Sequence, residues 1–142
     1  RLFASSLRTL LLLMSVPTAI AFAFAPYILS VWMGPDYAMQ GALALRILAV
    51  GVLINSAAHI PYTFLEASGR PDVPAKCHLA ELAIHLPVAW FLVGRWGITG
   101  AAIAWTLRVS LDTLLLLVAA RRIIPVSLSA VLTGNRDAMV IP

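Results

Sequence analysis

Two charged residues lie near the middle of a long apolar stretch of the chain. Residues 98–120 are mostly apolar, and Arg108 and Asp112 are their only charges. A charged side chain at the centre of a bilayer costs about 2.5–3.5 kcal/mol on insertion scales, so such groups usually face a protein interior or a wet cavity. Gly100, Ala104, Arg108 and Asp112 follow one another at four-residue steps, so they share one face of a helix. The small side chains of Gly100 and Ala104 allow another helix to approach that face closely.

The Arg108–Asp112 pair has three interpretations. It is a self-satisfied buried ion pair that locks helix packing, or Arg108 faces a water-filled cavity and attracts an anionic substrate while Asp112 limits the cost of its charge. In the third, Arg108 reaches the bilayer surface along its own aliphatic stem.

Two further apolar stretches carry polar residues on one side. Asn55, His59 and Glu66 fall near one face of a helix and form either a proton relay or an interhelical hydrogen-bond cluster. His78, Glu81 and His85 recur at steps of three and four and offer three metal ligands in an order that is not a known zinc motif. These residues therefore predict no metal site.

The sequence contains no glycine-rich phosphate loop, no nucleophile elbow and no acidic metal-binding pair. It therefore predicts neither an enzyme nor a cofactor.

Composition places the chain among integral membrane proteins. Of its 142 residues 61% are hydrophobic and 11% are charged, whereas soluble domains average about 45–50% and about 25%. The net charge of +4 comes from basic residues that lie mainly between the apolar runs, so they are topology determinants and predict no nucleic-acid partner. The single cysteine, Cys77, excludes an internal disulfide.

The apolar runs predict an all-α integral membrane fold, a bundle of four transmembrane helices at about 7–31, 42–66, 75–92 and 98–120. Residues 1–122 form the transmembrane domain, and residues 123–142 are a tail or a truncated further helix. A secretory signal peptide is the alternative for the first run, but apolar character continues well past its small-residue site to Val31.

Basic residues predict the orientation of the bundle. One side of the membrane receives six of them and the other receives only Arg95, so both ends of 1–122 and the 67–75 loop are expected in the cytoplasm. The six are Arg1, Arg8, Arg70, Lys76, Arg121 and Arg122. Because the chain begins with Arg1 and holds only about four spans, we expect a fragment of a longer protein.

Three stretches together resemble the polysaccharide (O-antigen type) flippases of the multidrug/oligosaccharidyl-lipid/polysaccharide export superfamily. They are ILSVWMGPDYA, RILAVGVLINSAAHIPYTFLEASGRP and GITGAAIAWTLRVSLDTLLLL. The similarity extends over roughly residues 1–122, and the combination and spacing of the motifs are specific although each motif alone is weak.

The resemblance implies a bacterial inner-membrane transporter with two six-helix lobes around a cationic cavity, of which this chain would be most of the second. Its substrate would be undecaprenyl-pyrophosphate-linked oligosaccharide, moved by ion-coupled alternating access, and its partners would be membrane lipids and the missing N-terminal lobe. Arg108, Arg46 or Arg70 would then meet the pyrophosphate at different depths, with Asp112 beside Arg108. The candidates for proton or ion coupling would be Asn55, His59, Glu66, His78, Glu81 and His85.

Two other functions stay open at this point. A drug or small-molecule antiporter of the same superfamily would prefer an unpaired carboxylate in its cavity, which the arginine-bearing helix does not favour. The other is a non-transporting membrane module, such as an assembly subunit or a membrane-embedded glycosyltransferase.

Overall fold

The computed structural model describes the backbone of residues 2–123 and the side chains of residues 5–122. These residues form four helices and no strand, which confirms the all-α prediction; three of the helices are long and apolar enough to cross a membrane. The helices are α1 (Leu2–Ala23), α2 (Ala25–Met33), α3 (Pro35–Ala67) and α4 (Asp72–Ile123). The predicted tail at 123–142 lies essentially outside the described residues.

Helix α4 consists of two arms, which we call the first arm (72–96) and the second arm (98–123). The arms meet at Gly97, where the backbone leaves helical geometry with φ 54° and ψ −127°, a conformation that glycine adopts without steric cost. The contacts between the arms step away from this point in both directions, so the arms run antiparallel. The pairs are Leu92 with Gly100, Glu81 with Arg108, and His78 with Asp112.

The two arms approach each other closely at Gly100. A Cβ atom on Gly100 would overlap the backbone carbonyl of Leu92, so a side chain there would force the two backbones apart. Because this close approach lies next to the turn at Gly97, Gly100 helps to fix which residues of the two arms face each other farther along the hairpin.

Helix α3 packs along the second arm through buried residues repeated every seven positions, of which those before Leu65 on α3 are small. Buried residues at this spacing are Ala44, Gly51, Ala58 and Leu65 on α3, and Ala102, Val109 and Leu116 on the second arm. A seven-residue repeat is typical of left-handed helix packing, and small residues let backbones approach closely in lipid. A Cβ atom on Gly51 would lie 2.6 Å from the Trp105 ring and 2.7 Å from the Thr106 hydroxyl.

Two threonines of the second arm fix its position against α3. The Thr106 hydroxyl donates to the Ile47 carbonyl at 3.2 Å. The Thr113 hydroxyl, which donates to the Val109 carbonyl of its own helix at 2.7 Å, also lies 3.3 Å from the Ile54 carbonyl. The donors and the acceptors advance together along their helices, so α3 and the second arm run parallel. The first arm runs in the opposite direction and connects these two parallel helices in the sequence.

The junction of α1 and α2 depends on a proline and an arginine. Pro26 lacks an N–H group, so the Phe22 carbonyl cannot make its usual helical hydrogen bond. Instead Arg46 of α3 donates its Nε–H to the Phe22 carbonyl at 3.2 Å, and its guanidinium lies 5.8 Å from the centre of the Phe22 ring. Arg46 thus closes a backbone gap in the neighbouring helix.

The helix bounds differ from the predicted spans in three places. The run at 7–31 is divided between α1 and α2 at Phe24, two residues before Pro26. Helix α3 begins at Pro35, directly after the positive φ of Gly34, and therefore extends well before residue 42. The third and fourth spans correspond to the two arms that meet at Gly97, and the third span is longer than predicted because the first arm covers 72–96.

Helix α1 leaves most of its apolar surface uncovered within the described residues. Its candidate span has no residue buried inside the fold, and Leu12, Leu13 and Val16 are each more than half exposed. Side chains of this kind are suited to acyl chains or to further membrane helices.

Replacing Gly100 by Ala should destabilise the hairpin because the added methyl group overlaps the Leu92 carbonyl. We expect a loss of about 1–3 kcal/mol in the free energy of unfolding, which is typical of overpacking. Gly94→Ala is the matched control: a Cβ atom there meets nothing within 4 Å, and Ala is favoured over Gly in a helix by about 0.5–1 kcal/mol. Thermal unfolding of the purified protein in detergent measures both, and equal midpoints would contradict the close approach.

Replacing Arg46 by Met should lower the free energy of unfolding by about 1–3 kcal/mol, because in the membrane the Phe22 carbonyl would lose its hydrogen-bond partner with no water to replace it. In a Pro26→Ala background the loss should be smaller, because the alanine restores the backbone N–H group that the Phe22 carbonyl lacks as a partner. Arg95→Met is the control, since Arg95 lies over the Phe91 ring at 5.7 Å and makes no carbonyl hydrogen bond in the described part of the chain. If Arg46→Met lowers the free energy of unfolding equally with Pro26 present and in the Pro26→Ala background, the hydrogen bond to the Phe22 carbonyl is not what makes Arg46 stabilising.

Candidate functional site

Four ionisable side chains meet between the two arms of α4, and we call them the ionisable cluster. His78 Nδ1 lies 3.3 Å from Asp112 Oδ1 and 3.7 Å from Glu81 Oε2. Arg108 Nε lies 3.8 Å from the same Glu81 oxygen. His78 and Glu81 come from the first arm, and Arg108 and Asp112 come from the second, so the antiparallel return at Gly97 assembles the cluster.

The two acids of the cluster are buried, whereas the two bases are half-buried. The Glu81 side chain is 1% exposed and the Asp112 side chain is 12% exposed, compared with 40% for His78 and 38% for Arg108. The acids therefore occupy the inner side of the hairpin, and the bases separate them from the outer surface.

Several atoms of the cluster are buried without a hydrogen bond. Within the described residues, the buried side-chain atoms without a hydrogen bond are His78 Nδ1, Glu81 Oε1, Glu81 Oε2, Arg108 Nε and Asp112 Oδ1. Buried polar atoms nearly always have a partner, and each unsatisfied one needs a physical reason. Here the ion pairs are long, so the charges attract one another without saturating the oxygens.

The charges of the cluster do not balance unless one more positive charge is present. Glu81 and Asp112 carry two negative charges when ionised, and Arg108 carries one permanent positive charge. Neutrality then requires a protonated His78, a proton on one acid, or another cation. An uncompensated charge is costly in a low-dielectric surrounding, so the cluster is suited to hold one exchangeable cation.

A cleft of about 220 Å³ opens beside the cluster, between α3 and α4. Its polar lining comes from α3 and from both arms, and the rest is apolar. The lining residues are Asn55, Ala58, His59, Tyr62, His78, Asp112 and Leu116. His78 and Asp112 are therefore accessible from the cleft, whereas Arg108 is not among its lining residues.

The candidates from the α3 stripe separate into two groups. Asn55 and His59 line the cleft, so they lie close to the ionisable cluster. Glu66 is exposed near the end of α3 and lies outside the lining of the cleft.

The remaining candidates also differ in position. His85 is half-buried on the first arm and is not part of the ionisable cluster. Arg70 lies in the polar turn after α3, where its Nε is 3.4 Å from Asp72. Arg46 is engaged by the Phe22 carbonyl on the opposite side of α3.

The main difference from the sequence analysis is how the charged residues pair. The sequence suggested a direct pair of Arg108 with Asp112, but in the described part of the chain Arg108 pairs with Glu81 and Asp112 pairs with His78. The short connector carried the signal for this arrangement, because positions equally far from a tight antiparallel turn face each other. Tyr62, which also lines the cleft, had no signal in the sequence beyond its place on α3.

Comparisons with known proteins give a family and two relatives. A family model described as MatE matches residues 4–91. A "Putative O-antigen transporter" of Shigella flexneri is 35% identical over 108 residues, which are 75% of this chain and 26% of that protein. An uncharacterised membrane protein of Methanocaldococcus jannaschii is 30% identical over 93 residues, which are 65% of this chain and 18% of that protein.

The chain therefore spans about a quarter of the length of the first relative and less than a fifth of the second. No solved structure matches the chain significantly.

Proposed function

The chain belongs to the MatE family, and from this premise we propose that it forms part of a bacterial flippase that moves lipid-linked oligosaccharide across the inner membrane. The relative from Shigella flexneri, whose name refers to O-antigen transport, supports this cargo. The observation that carries the proposal is the ionisable cluster, because four charged or titratable groups of the spans face one another rather than lipid. Such groups in membrane segments usually mark a substrate or ion pathway.

Arg108 is the best candidate for contact with the pyrophosphate of the substrate. Its side chain is 38% exposed, and Glu81 at 3.8 Å is too distant for a strong hydrogen bond, so its guanidinium is free to bind phosphate oxygens in pairs. Arg46 is already committed to the Phe22 carbonyl, and Arg70 lies beside Asp72 in an exposed turn. Arg46 and Arg70 are therefore less favoured candidates for contact with the pyrophosphate.

Ion coupling is the second part of the proposal. The ionisable cluster needs one further positive charge for neutrality, so it is suited to take up a cation on one side of the membrane and release it on the other. Glu81 is the central coupling candidate, because it is the most buried group of the cluster. His59 and Asn55 line the access cleft. Equal flipping rates with and without a transmembrane ion gradient, measured in vesicles, would remove ion coupling from the proposal.

The proposed partners are the lipid-linked substrate, membrane lipids and a second lobe of the same protein. A two-lobed transporter encloses its substrate between lobes, and this chain spans only about a quarter of its Shigella relative. The uncovered apolar side chains of α1 are suited to the lipid or to the second lobe. A crosslink between this chain and the other lobe in the full-length protein would test the partnership.

A second candidate function is export of cationic small molecules by an antiporter. The observation in its favour is that Asp112 lines the cleft, whereas Arg108 does not. An acidic cleft attracts organic cations, and the two candidate functions therefore predict opposite cargo charge. Transport assays with an undecaprenyl-linked sugar and with a cationic dye distinguish them.

Replacing Arg108 by Gln should slow flipping of the lipid-linked oligosaccharide by about 10- to 100-fold, which corresponds to the loss of a hydrogen bond to a charged group. Arg108→Lys keeps the charge and should retain more activity, and Arg95→Gln, an exposed arginine at the connector, should leave the rate unchanged. The rate is measured in proteoliposomes after matching protein amounts and unfolding midpoints. Normal flipping by Arg108→Gln would return Arg108 to a packing role.

The orientation proposal places the polar turn before α4 in the cytoplasm, and Cys77 on the first turns of α4 reports it. A membrane-impermeant maleimide added to intact cells should leave Cys77 unlabelled, and labelling should appear after permeabilisation. In a Cys77→Ser background, Trp96→Cys at the opposite end of the first arm should be labelled in intact cells, since Trp96 is 54% exposed. The reverse labelling pattern would invert the topology.

A further inference from the structure

The ionisable cluster has a second chemical capacity that does not depend on transport. We propose that His78, Glu81 and Asp112 form a binding site for a divalent transition-metal ion such as Zn²⁺. Each residue offers one ligand atom, and the three atoms lie within 4.8 Å of one another. The ligands come from both arms of α4, so a bound ion would join the two arms directly.

The distances between the ligand atoms fit such an ion after small adjustments. His78 Nδ1 is 3.3 Å from Asp112 Oδ1 and 3.7 Å from Glu81 Oε2. Ligands of a tetrahedral zinc ion lie about 2.0–2.2 Å from the metal, so neighbouring ligand atoms are about 3.3–3.6 Å apart. The two His78 distances fit this range closely, and rotation of the carboxylates would bring the Glu81 and Asp112 oxygens, which lie within 4.8 Å of one another, to the same separation.

The unsatisfied atoms of the cluster are the independent evidence for a ligand. Glu81 is 1% exposed, and both of its carboxylate oxygens are buried without a hydrogen bond in the described part of the chain. Asp112 Oδ1 and His78 Nδ1 are in the same condition. A metal ion would give a partner to three of the four atoms, which long ion pairs alone leave unsatisfied.

The donor atoms select the class of metal. One imidazole nitrogen and two carboxylate oxygens are typical of sites for zinc and its neighbours in the first transition row, whereas Mg²⁺ and Ca²⁺ prefer oxygen ligands only. Three protein ligands leave a position open, and the cleft lined by Asn55 and Tyr62 gives water access to it.

The site differs from the ligand set that the sequence offered. The sequence placed His78, Glu81 and His85 on one helix face, but His85 is not part of the group of ligand atoms. Asp112 takes its place because the second arm returns beside the first. The two ligand sets share His78 and Glu81 and differ only in the third ligand, which is His85 for a site on one helix face and Asp112 for a site between the arms.

Titration of the purified full-length protein with Zn²⁺ in detergent, followed by calorimetry, tests the site. We expect one equivalent to bind, Asp112→Asn and Glu81→Gln each to weaken binding at least about tenfold through loss of a ligand, and His85→Gln to leave it unchanged. Asp72→Asn is the matched control, because Asp72 is an exposed acid paired with Lys76 and Arg70. Zinc affinity that Asp112→Asn leaves unaltered would overturn the proposal.

Arg108 provides a signed test that a simple ion-pair cluster does not share. Its positive charge lies 3.8 Å from a ligand oxygen, so Arg108→Gln should tighten zinc binding by about tenfold by removing Coulomb repulsion. Unchanged or weaker binding would place the metal elsewhere.

X-ray absorption at the zinc edge of the unmodified protein keeps the proposal testable if variants fail to fold. One imidazole and two carboxylates around the zinc are expected, and a shell of water alone would overturn the site. Binding of Mg²⁺ with the same affinity as Zn²⁺ would overturn the assignment to a transition metal.

Discussion

The burial of ionisable groups between two membrane helices is the constraint on which this structure depends. Lipid cannot solvate a carboxylate, so Glu81 and Asp112 are tolerable only because His78 and Arg108 approach them from both arms of α4. The cluster therefore needs the hairpin, and the hairpin in turn is held in register by the cluster. A shift of one helical turn between the arms would leave buried charges without partners.

Close backbone approach is what allows these short contacts to form. Helices in lipid gain little from hydrophobic association, so packing and interhelical hydrogen bonds must hold them together. The seven-residue repeat of buried residues on α3, three of which are small, supplies the packing, with Gly51 beneath the Trp105 ring. Thr106 supplies a hydrogen bond to an α3 carbonyl, and the Thr113 hydroxyl contacts a second one. The second arm is thereby fixed against α3, and Asp112 is held at the wall of the cleft.

Hydropathy and periodicity predicted the helices and the inward face of Asp112, because both depend on local sequence. The partners of the charged residues were not local: Glu81 reaches Arg108 only after the chain turns at Gly97. The helical pattern alone gives the same prediction for His78, Glu81 and His85, because all three lie on one face. Only the position of the second arm shows that His78 and Glu81 belong to the cluster and His85 does not. The break near Pro26 was not predicted within the span at 7–31, and the arginine that closes it comes from another helix.

Glu81 links the two binding capacities proposed for this multi-pass membrane protein. One Glu81 oxygen lies near both His78 and Arg108, so a cation held by Glu81 and an ion pair with Arg108 compete for the same carboxylate. Under both proposals, cation binding would release the Arg108 guanidinium toward an anionic substrate, and cation release would draw it back. Coupling of this kind is reciprocal by thermodynamic necessity, so an anion bound to Arg108 would raise the affinity of the cluster for its cation by the same factor. The exchange requires movement of side chains within a fixed hairpin, because the close approach of the backbones at Gly100 leaves the two arms little freedom to slide.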